Sequence, residues 1–292
     1  MLAPFEIHEP ATVSEAVDML THYDEDASIY AGGTELLLIM KEGLVHYPHL
    51  VNIKTIPQMD AIRLGIDEQR LKIGAQATHR QVEQSSLVQE HIPLLSEAAA
   101  QIGNLRVRTT GTIGGNLCFA EPHSDPATLL LACGASLDLS GTNGVRTVPI
   151  EDFFTGLFET ARKPDEILLA ISVPILPVGS GSAYSKFSIH ARPTATVAVI
   201  LHMQDSIIDS ARVALGSVGP TPVRVVQAEE ILRGEKPGDE LFAAAAAHAQ
   251  AATDAVDDIY GSAAYKAHLA QVLTQRALEQ AATRAGAGDR VH

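Results

Sequence analysis

The chain has 292 residues, of which 46% are hydrophobic and 19% are charged, and this length suits two or three domains of ordinary size. Its 35 acidic and 21 basic residues give a formal net charge of −14, which disfavours binding to the phosphate backbone of nucleic acid. The two cysteines, Cys118 and Cys133, are too few for an iron–sulfur cluster or a four-cysteine zinc site held by this chain alone.

Membrane insertion is also disfavoured by the sequence. No apolar run reaches the roughly 18 to 20 residues that a membrane-spanning helix requires. The first ten residues lack a basic stretch followed by an apolar core, so they do not resemble a secretion signal. We therefore expect a cytoplasmic protein with no membrane span.

The first fifty-odd residues alternate between strand and helix patterns, which predicts a small α/β unit over residues 1–56. Thr12 and Glu15 have the spacing of a capping box, in which two side chains satisfy free amides at the start of a helix. The predicted elements are, in order, a strand over 4–7, a helix from Thr12, a strand over 27–31, a helix over 35–41 and a strand over 49–53.

A second unit is predicted over residues 57–176, where alternating apolar residues indicate strands and longer amphipathic stretches indicate helices. A segment rich in proline and glycine then marks a linker between 174 and 181. The predicted elements are a strand over 70–74, a helix from Thr78, a helix over 94–102, and strands over 136–139, 145–149 and 166–173.

The remaining residues, 177–292, begin with strand patterns and end in alanine-rich helices. The runs over 196–204 and 207–215 flank Asp205-Ser206, which predicts a β-hairpin. Another strand is predicted over 183–188, and helices are predicted over 221–233, 240–257 and 263–285. The whole pattern predicts an α+β protein.

Two glycine-rich segments are the strongest functional signals. The segment Ala31-Gly32-Gly33-Thr34-Glu35 lies between a predicted strand and a predicted helix, so its backbone amides are suited to a phosphate group. A plain turn is the alternative for such a glycine pair.

The second segment, Thr109 to Asn116, contains three glycines and three threonines in eight residues. This composition is unfavourable inside a helix or strand, so we predict an irregular loop. The two segments together are suited to holding a diphosphate from two sides. Neither matches the dinucleotide fingerprint G-x-G-x-x-G or the P-loop, which argues against a nicotinamide Rossmann site and against an ATPase.

The two glycine segments are similar to a pair of segments in a known protein family. Ala31-Gly32-Gly33-Thr34-Glu35-Leu36 followed by Thr112-Ile113-Gly114-Gly115-Asn116 resembles the paired FAD loops of the flavoprotein subunits of molybdenum hydroxylases. That family includes the medium subunit of carbon monoxide dehydrogenase and the FAD domain of xanthine dehydrogenase. Five further matches cover nearly the whole chain, at residues 77–79, 124–127, 165–169, 184–187 and 216–222.

The resemblance implies a PCMH-type FAD-binding fold with two α/β subdomains and a C-terminal α+β domain. It implies FAD on this chain, with molybdopterin on a large partner subunit and [2Fe–2S] clusters on a small one. We expect the FAD to be non-covalent, because no histidine or cysteine occupies an evident tethering position in the matched motifs. The expected assembly is a dimer of heterotrimers. In such a complex the chain passes electrons from the clusters through FAD to an external acceptor, and it carries no catalytic residue of its own.

The resemblance also implies which residues bind the cofactor. The first loop contributes Ile29, Tyr30, Ala31, Gly32, Gly33, Thr34, Glu35 and Leu36. The second contributes Thr109, Gly111, Thr112, Ile113, Gly114, Gly115 and Asn116. The remaining expected contacts are Thr78, His79, Ile102, Asp125, Leu168 and Lys186.

Several of these residues have simpler alternative roles. Asp125 before Pro126 suits a helix N-terminus as well as a cofactor contact. Lys186 is either an exposed strand residue or a fixed positive charge near the flavin ring. His79 is either a general acid or a hydrogen-bonding residue at a helix start. No two of the 12 histidines have the spacing H-x-x-x-H, so no metal site is predicted.

Two other functions are compatible with the same residues. One is a stand-alone flavin-dependent oxidase or dehydrogenase of the same fold, in which an organic substrate meets the flavin directly. The C-terminal part is small for the substrate-capping domain that such enzymes carry. The other is an assembly or nucleotide-binding module that keeps the fold without FAD.

Overall fold

The computed structural model describes residues 2–189 and 192–288. The N-terminal elements are β1 (Glu6–His8), α1 (Val13–Tyr23), β2 (Ala27–Tyr30), α2 (Leu36–Lys41) and β3 (His49–Asn52). There follow β4 (Ile62–Leu64), β5 (Arg70–Gly74), α3 (His79–Gln84), α4 (Ser86–His91), α5 (Pro93–Ala99), α6 (Leu105–Thr110), α7 (Ile113–Phe119), α8 (Asp125–Cys133), β6 (Ser136–Gly141), β7 (Gly144–Pro149), β8 (Phe154–Gly156), β9 (Glu159–Thr160) and β10 (Ile167–Pro174). The C-terminal elements are β11 (Ser180–Phe187), β12 (Ala195–Gln204), β13 (Ile207–Gly216), β14 (Val223–Arg224), α9 (Val226–Leu232), α10 (Asp239–Ala251) and α11 (Ala263–Gly288).

The first sheet is parallel and has the strand order β1-β3-β2. At the start of α1, Thr12 Oγ1 accepts the Glu15 amide at 3.1 Å as predicted, but the Glu15 carboxylate accepts the amide of Ala11, at 2.8 Å, rather than that of Thr12, so only half of the capping box forms. Because all three strands run the same way, the loop after β2 emerges at the carboxyl end of this sheet, where parallel α/β units bind their ligands.

The second sheet is antiparallel, with the order β4-β5-β10-β6-β7. Its apolar residues share one hydrophobic core with the first sheet and with helices α1, α3, α4, α5, α7 and α8. Helix α8 contributes most to this core because every one of its residues is buried. The two N-terminal sheets therefore flank one apolar interior.

The third sheet, β11-β12-β13-β14, has its own core with α9, α10 and α11. Helix α11 lies close against β11, because a Cβ added at Gly181 would be 1.9 Å from the Ala281 carbonyl oxygen. Within the described ranges, no helix combines the length and apolar character needed to cross a bilayer.

The α+β class and the predicted hairpin are confirmed, but three predicted elements are wrong in detail: the stretch 109–116, the helix over 221–233, and the helix over 240–257, which ends at Ala251. The stretch 109–116 is not an irregular loop, because α6 ends at Thr110 and α7 begins at Ile113. Thr112 caps α7 by accepting the Gly115 amide, which offsets the low helix propensity of the glycines. The predicted helix over 221–233 is shorter, since Val223 and Arg224 pair with β13 first. The domain limits at 56/57 and 176/177 stay predictions.

Helix α8 also contacts the third sheet through a tight polar contact. Thr128 and Thr196 share a hydroxyl hydrogen bond of 3.1 Å, and Gly216 lies directly against both. A Cβ added at Gly216 would be 1.9 Å from Thr128 Oγ1 and 2.6 Å from Thr196 Oγ1. There is thus no room for a side chain at this point between the core of the two N-terminal sheets and the C-terminal sheet.

We expect Gly216→Ala to lower the free energy of unfolding by about 1–3 kcal/mol, the usual cost of overpacking a close-packed contact. Gly219→Ala is the matched control, because its added Cβ would meet no atom closer than 3.6 Å outside its chain neighbours. Guanidinium chloride unfolding of both variants measures the difference. Equal stability of the two variants would contradict the tight contact.

Candidate functional site

A cavity of about 390 Å³ lies at the carboxyl end of the first sheet and continues between α6, α7 and the start of β10. Its walls come from both glycine segments, from the turn after β5 and from the start of the C-terminal domain. The lining residues that the sequence had suggested are Ile29, Ala31, Gly32, Gly33, Thr34, Glu35, Leu36, His79, Ile102, Thr112, Gly114, Gly115, Asn116, Asp125 and Leu168.

The first glycine segment offers unused hydrogen-bond donors to this cavity. Within the described part of the chain, the amides of Gly33, Thr34 and Glu35 donate no hydrogen bond. Gly33 has φ +72°, a left-handed conformation that favours glycine and that occurs in the turns whose backbone amides form anion-binding concavities. Such a group of free amides is suited to an anion.

The second segment differs, because its amides are already engaged. The amide of Ile113 donates to the Ala77 carbonyl at 2.9 Å, and that of Gly114 donates to the Ala75 carbonyl at 2.9 Å. The Gly115 amide donates to the Thr112 hydroxyl at 3.1 Å. This segment therefore shapes the cavity, while the first segment supplies the free amides.

The two glycine segments are in direct contact at Gly32. A Cβ added at Gly32 would be 2.3 Å from the Thr110 carbonyl oxygen and 2.8 Å from Gly111 Cα. Gly114 is equally confined, since its Cβ would be 2.6 Å from the Ala75 carbonyl oxygen. These contacts hold the backbones together and fix the distance between the two loops.

Gly115 has a different environment. Its added Cβ would meet the Thr112 hydroxyl at 2.8 Å and Ala31 Cβ at 3.7 Å, and both Ala31 and Gly115 line the cavity. A side chain here would enter the space between the two segments. Gly115 therefore keeps the cavity open, whereas Gly114 permits packing against the turn after β5.

A buried acceptor without a partner also lies in the cavity wall. Within the described ranges, Gln76 Oε1 is buried and has no hydrogen-bond partner. A buried amide oxygen left unpaired costs free energy, so it marks a point where a bound molecule with an N–H or O–H group gains affinity.

His79 and Cys118 line the same cavity in electrically neutral forms. Burial, assisted by the charge of Arg108, lowers the pKa of His79 to about 4, so its imidazole is uncharged at neutral pH. Burial raises the pKa of the Cys118 thiol, and the thiolate is therefore disfavoured. Neither residue is poised for acid catalysis or nucleophilic attack at neutral pH.

The C-terminal domain reaches the cavity through Asp125. The Tyr184 hydroxyl donates to Asp125 Oδ1 in a short hydrogen bond, and Lys186 Nζ lies 3.2 Å from Asp125 Oδ2. Lys186 also donates to the Gln101 carbonyl at 2.8 Å. Burial raises the pKa of Asp125, and the ammonium and the phenol oppose that effect by stabilising the carboxylate.

A chain of paired polar side chains lies at the cavity mouth, where the Arg192 and Glu35 side chains are about one-third exposed. Arg192 binds the Glu35 carboxylate at 3.1 and 3.2 Å and also forms an ion pair with Glu121. Glu121 bonds to His123 at 3.1 Å. Burial raises the pKa of Glu121, but the His123 hydrogen bond and the Arg192 charge outweigh it, so the net pKa is lowered. Arg192 thus joins the first glycine segment to the residues after α7.

Some residues predicted from the sequence lie outside the cavity lining. On β2 successive side chains point to opposite faces, so Ile29 lines the cavity while Tyr30 lies under the Lys54 ammonium. The Thr78 hydroxyl caps α3, and the Thr109 hydroxyl bonds to backbone carbonyls within α6. The others outside the lining are Gly111, Ile113 and Lys186.

Other lining residues were not found by sequence reasoning. Arg192 contacts a residue 157 positions away, and no local motif marks such a pair. Gln76 directly precedes the matched segment 77–79, and this adjacency is the one feature of the sequence that could have marked it as a lining residue. The remaining lining residues of this kind include Asn104, Val107, Phe119, Glu121, His123 and Arg162.

Comparison with known proteins agrees with this geometry. Residues 3–176 match the FAD binding domain in molybdopterin dehydrogenase, and residues 183–281 match the CO dehydrogenase flavoprotein C-terminal domain. The carbon monoxide dehydrogenase medium chain of Hydrogenophaga pseudoflava is 36% identical over 96% of this chain and 98% of that one. The xanthine dehydrogenase FAD-binding subunit of Escherichia coli O157:H7 is 30% identical over 96% of each chain.

A solved structure of carbon monoxide dehydrogenase from Hydrogenophaga pseudoflava superposes with a TM-score of 0.95 at 36% identity. The superposition covers 97% of this chain and 99% of that chain. The expected FAD-binding domain with a C-terminal domain is therefore confirmed for the described residues, as is the resemblance drawn from the sequence motifs.

The Gly115 environment generates a prediction for FAD binding. We expect Gly115→Val to reduce FAD affinity at least tenfold with little change in far-UV circular dichroism, because the side chain occupies the gap to Ala31. Gly238→Val is the control, since no atom lies within 4 Å of its added Cβ. FAD affinity is measured by fluorescence titration. Unchanged affinity in Gly115→Val would mean that this gap does not hold the cofactor.

Proposed function

Because this chain belongs to the FAD-binding subunits of the molybdopterin dehydrogenases, we propose that it is the electron-transfer subunit of a molybdenum-containing hydroxylase or dehydrogenase. Electrons arrive from [2Fe–2S] clusters on a small partner subunit and leave to an external acceptor. The organic or gaseous substrate is oxidised on a large molybdopterin subunit. The proposed assembly is a dimer of heterotrimers. When bound, FAD supplies the conversion between one-electron input and two-electron output.

The observation that carries this proposal is the fit between the cavity and a dinucleotide. The amides of Gly33, Thr34 and Glu35 are free to donate to a diphosphate, and the Thr34 hydroxyl lies beside them. The buried Gln76 oxygen offers an acceptor to a polar group of the cofactor. Gly115 leaves the space that a close backbone approach requires.

The other polar groups of the cavity act as fixed binding and orienting groups. Asp125 is held by Tyr184 and Lys186, so its carboxylate presents a defined acceptor to a hydroxyl of the dinucleotide. The neutral His79 ring adds a buried wall without a charge. Arg192 holds Glu35 and Glu121 in place at the mouth, because it pairs with both carboxylates.

These pairings favour electron transfer over direct oxidation of an organic substrate. Of the cavity-lining acids, Glu35 and Glu121 are paired with Arg192, and Asp125 is paired with Lys186. His79 is buried and uncharged, and Cys118 is a protonated thiol. A base that must take a proton from a substrate needs a free acceptor within reach of it. The acidic and nucleophilic side chains among the described lining residues are instead already paired or neutral, which suits a site that binds a cofactor.

The proposal is tested on the purified complex and on the isolated chain. Affinity purification of the full-length chain from its native host should recover molybdenum, iron and FAD in fixed ratio. The isolated chain, loaded with FAD, should stay yellow under anaerobic incubation with small alcohols and amines, and it should be bleached by a reduced [2Fe–2S] partner. Acid precipitation should release the flavin to the supernatant, because burial keeps Cys118 protonated and a neutral thiol is a poor nucleophile for a covalent link.

Other outcomes would contradict parts of this proposal. Bleaching by an organic substrate without a partner would identify a stand-alone flavoenzyme. Absence of flavin absorbance near 450 nm after FAD addition would identify a module that has lost the cofactor. Flavin that remains with the acid precipitate would contradict non-covalent binding.

Lys186 provides a test of the charge balance beside the cofactor. We expect Lys186→Met to keep most of its FAD, since the ammonium does not line the cavity. Because burial raises the pKa of Asp125, the test is made at alkaline pH, where the carboxylate is ionised. Without the Lys186 cation, this negative charge disfavours reduction of FAD, so the FAD midpoint potential should become more negative, by an interaction on the order of 1 kcal/mol.

Lys72→Met is the matched control for this variant. Lys72 pairs with Asp138 at 2.8 Å on the second sheet, and neither residue lines the cavity. Spectroelectrochemical titration over a pH series compares the two. A midpoint potential equal to that of the control at every pH would mean that the charge of Lys186 does not affect the flavin. Complete loss of FAD would mean that it is required for the fold of the site.

A further inference from the structure

A second cluster of polar side chains lies at the opposite end of the first sheet from the glycine loop. Glu6 and His8 are two residues apart on β1, so their side chains share one face of the sheet. His49 begins β3 and is the register partner of Glu6. His49 also pairs with Ala27 at the start of β2, whereas the glycine loop follows the end of that strand.

The three side chains form a compact set of ligand atoms. His8 Nε2 lies 3.0 Å from His49 Nδ1, and Glu6 Oε2 lies 3.9 Å from His8 Nε2 and 3.7 Å from His49 Nδ1. The point equidistant from these three atoms is about 2.1 Å from each, which is the usual bond length between Zn²⁺ and imidazole or carboxylate ligands. The three ligand atoms are therefore already grouped at the spacing that one bound ion requires.

The imidazole rings are also held in orientation by their surroundings. The Tyr23 ring, at the end of α1, stacks on His49 at 4.0 Å and on His8 at 4.8 Å between ring centroids. The His8 side chain is 13% exposed and that of His49 is 25% exposed, while the Glu6 side chain is 67% exposed. The two nitrogen ligands are therefore preorganised, and the carboxylate closes the site from the solvent side.

We propose that Glu6, His8 and His49 bind one divalent transition-metal ion, for which Zn²⁺ is the best fit, with water at the remaining position. Two imidazoles and one carboxylate favour Zn²⁺, Ni²⁺ or Cu²⁺ over Ca²⁺ and Mg²⁺, which prefer oxygen ligands and larger or fully octahedral coordination. The sequence patterns did not indicate this site because its histidines come from two strands rather than from one helix.

The ion has a structural role in this proposal. It fastens β1, a strand of three residues, to β3, which is the central strand of the first sheet. An ion bound to the folded chain and not to the unfolded chain raises the melting temperature in proportion to the logarithm of its concentration. Because the site and the glycine loop lie at opposite ends of the sheet, metal binding leaves the FAD content unchanged.

The experiment uses the full chain with FAD bound, after removal of metal with a chelator. Isothermal titration calorimetry with ZnCl₂ measures affinity and stoichiometry, and differential scanning fluorimetry with and without ZnCl₂ measures the melting temperature. Glu6→Gln and His49→Asn are the test variants. His46→Asn is the control, because His46 is an exposed histidine of the same segment outside the cluster.

The expected result is one tight equivalent of Zn²⁺ and a higher melting temperature in the unmodified chain and in His46→Asn. Glu6→Gln should weaken the affinity at least tenfold and His49→Asn at least a hundredfold, with FAD content equal in all four proteins. If His49→Asn folds poorly, the exposed and isosteric Glu6→Gln still decides the matter. Absence of saturable Zn²⁺ binding, or affinity that neither variant changes, would overturn the proposal.

Discussion

The cavity depends on direct backbone contact between segments that lie far apart in the chain. Gly32 lies against Thr110 and Gly111, and Gly114 lies against Ala75, at distances that leave no room for a Cβ. The amides of Ile113 and Gly114 reinforce these contacts by bonding to the turn after β5. The protein itself therefore holds the loops in position, and a ligand that enters does not have to order them.

The two glycine segments therefore have different roles. In the second segment the glycines permit close packing, and the amides donate hydrogen bonds to carbonyl and hydroxyl oxygens of the protein itself. In the first segment Gly33 adopts a left-handed turn and leaves the following amides free. An anion at the first segment then interacts with donors that are fixed before binding, which avoids the free-energy cost of reorganising them.

The C-terminal domain completes the electrostatics of the site. Asp125 is almost fully buried, and a carboxylate in that position is costly without a cation. Lys186 comes from the C-terminal sheet to meet it, and Arg192 meets Glu35 and Glu121 at the cavity mouth. These pairings explain why the domain is an integral part of the site.

The same pairings explain why the sequence predicted the glycine loops and the order of the elements better than it predicted the residues that line the cavity. Hydrophobic periodicity and capping residues act locally, as at Thr12 and Thr78, whereas the Arg192–Glu35 pair and the engaged amides of α7 arise only from tertiary contacts.

The breadth of the family follows from the same geometry. Relatives named for carbon monoxide dehydrogenase and for xanthine dehydrogenase both align with nearly the whole chain, although a diatomic gas and a purine differ in size and polarity. One pocket cannot be complementary to both, since a site built to hydrogen-bond a polar substrate leaves its groups unpaired with an apolar one. A type of subunit that occurs in both enzymes is therefore expected to bind what the two enzymes have in common. The free amides, the unpaired Gln76 oxygen and the glycine-lined gap suit a dinucleotide cofactor, and the paired acids leave little capacity for a second ligand.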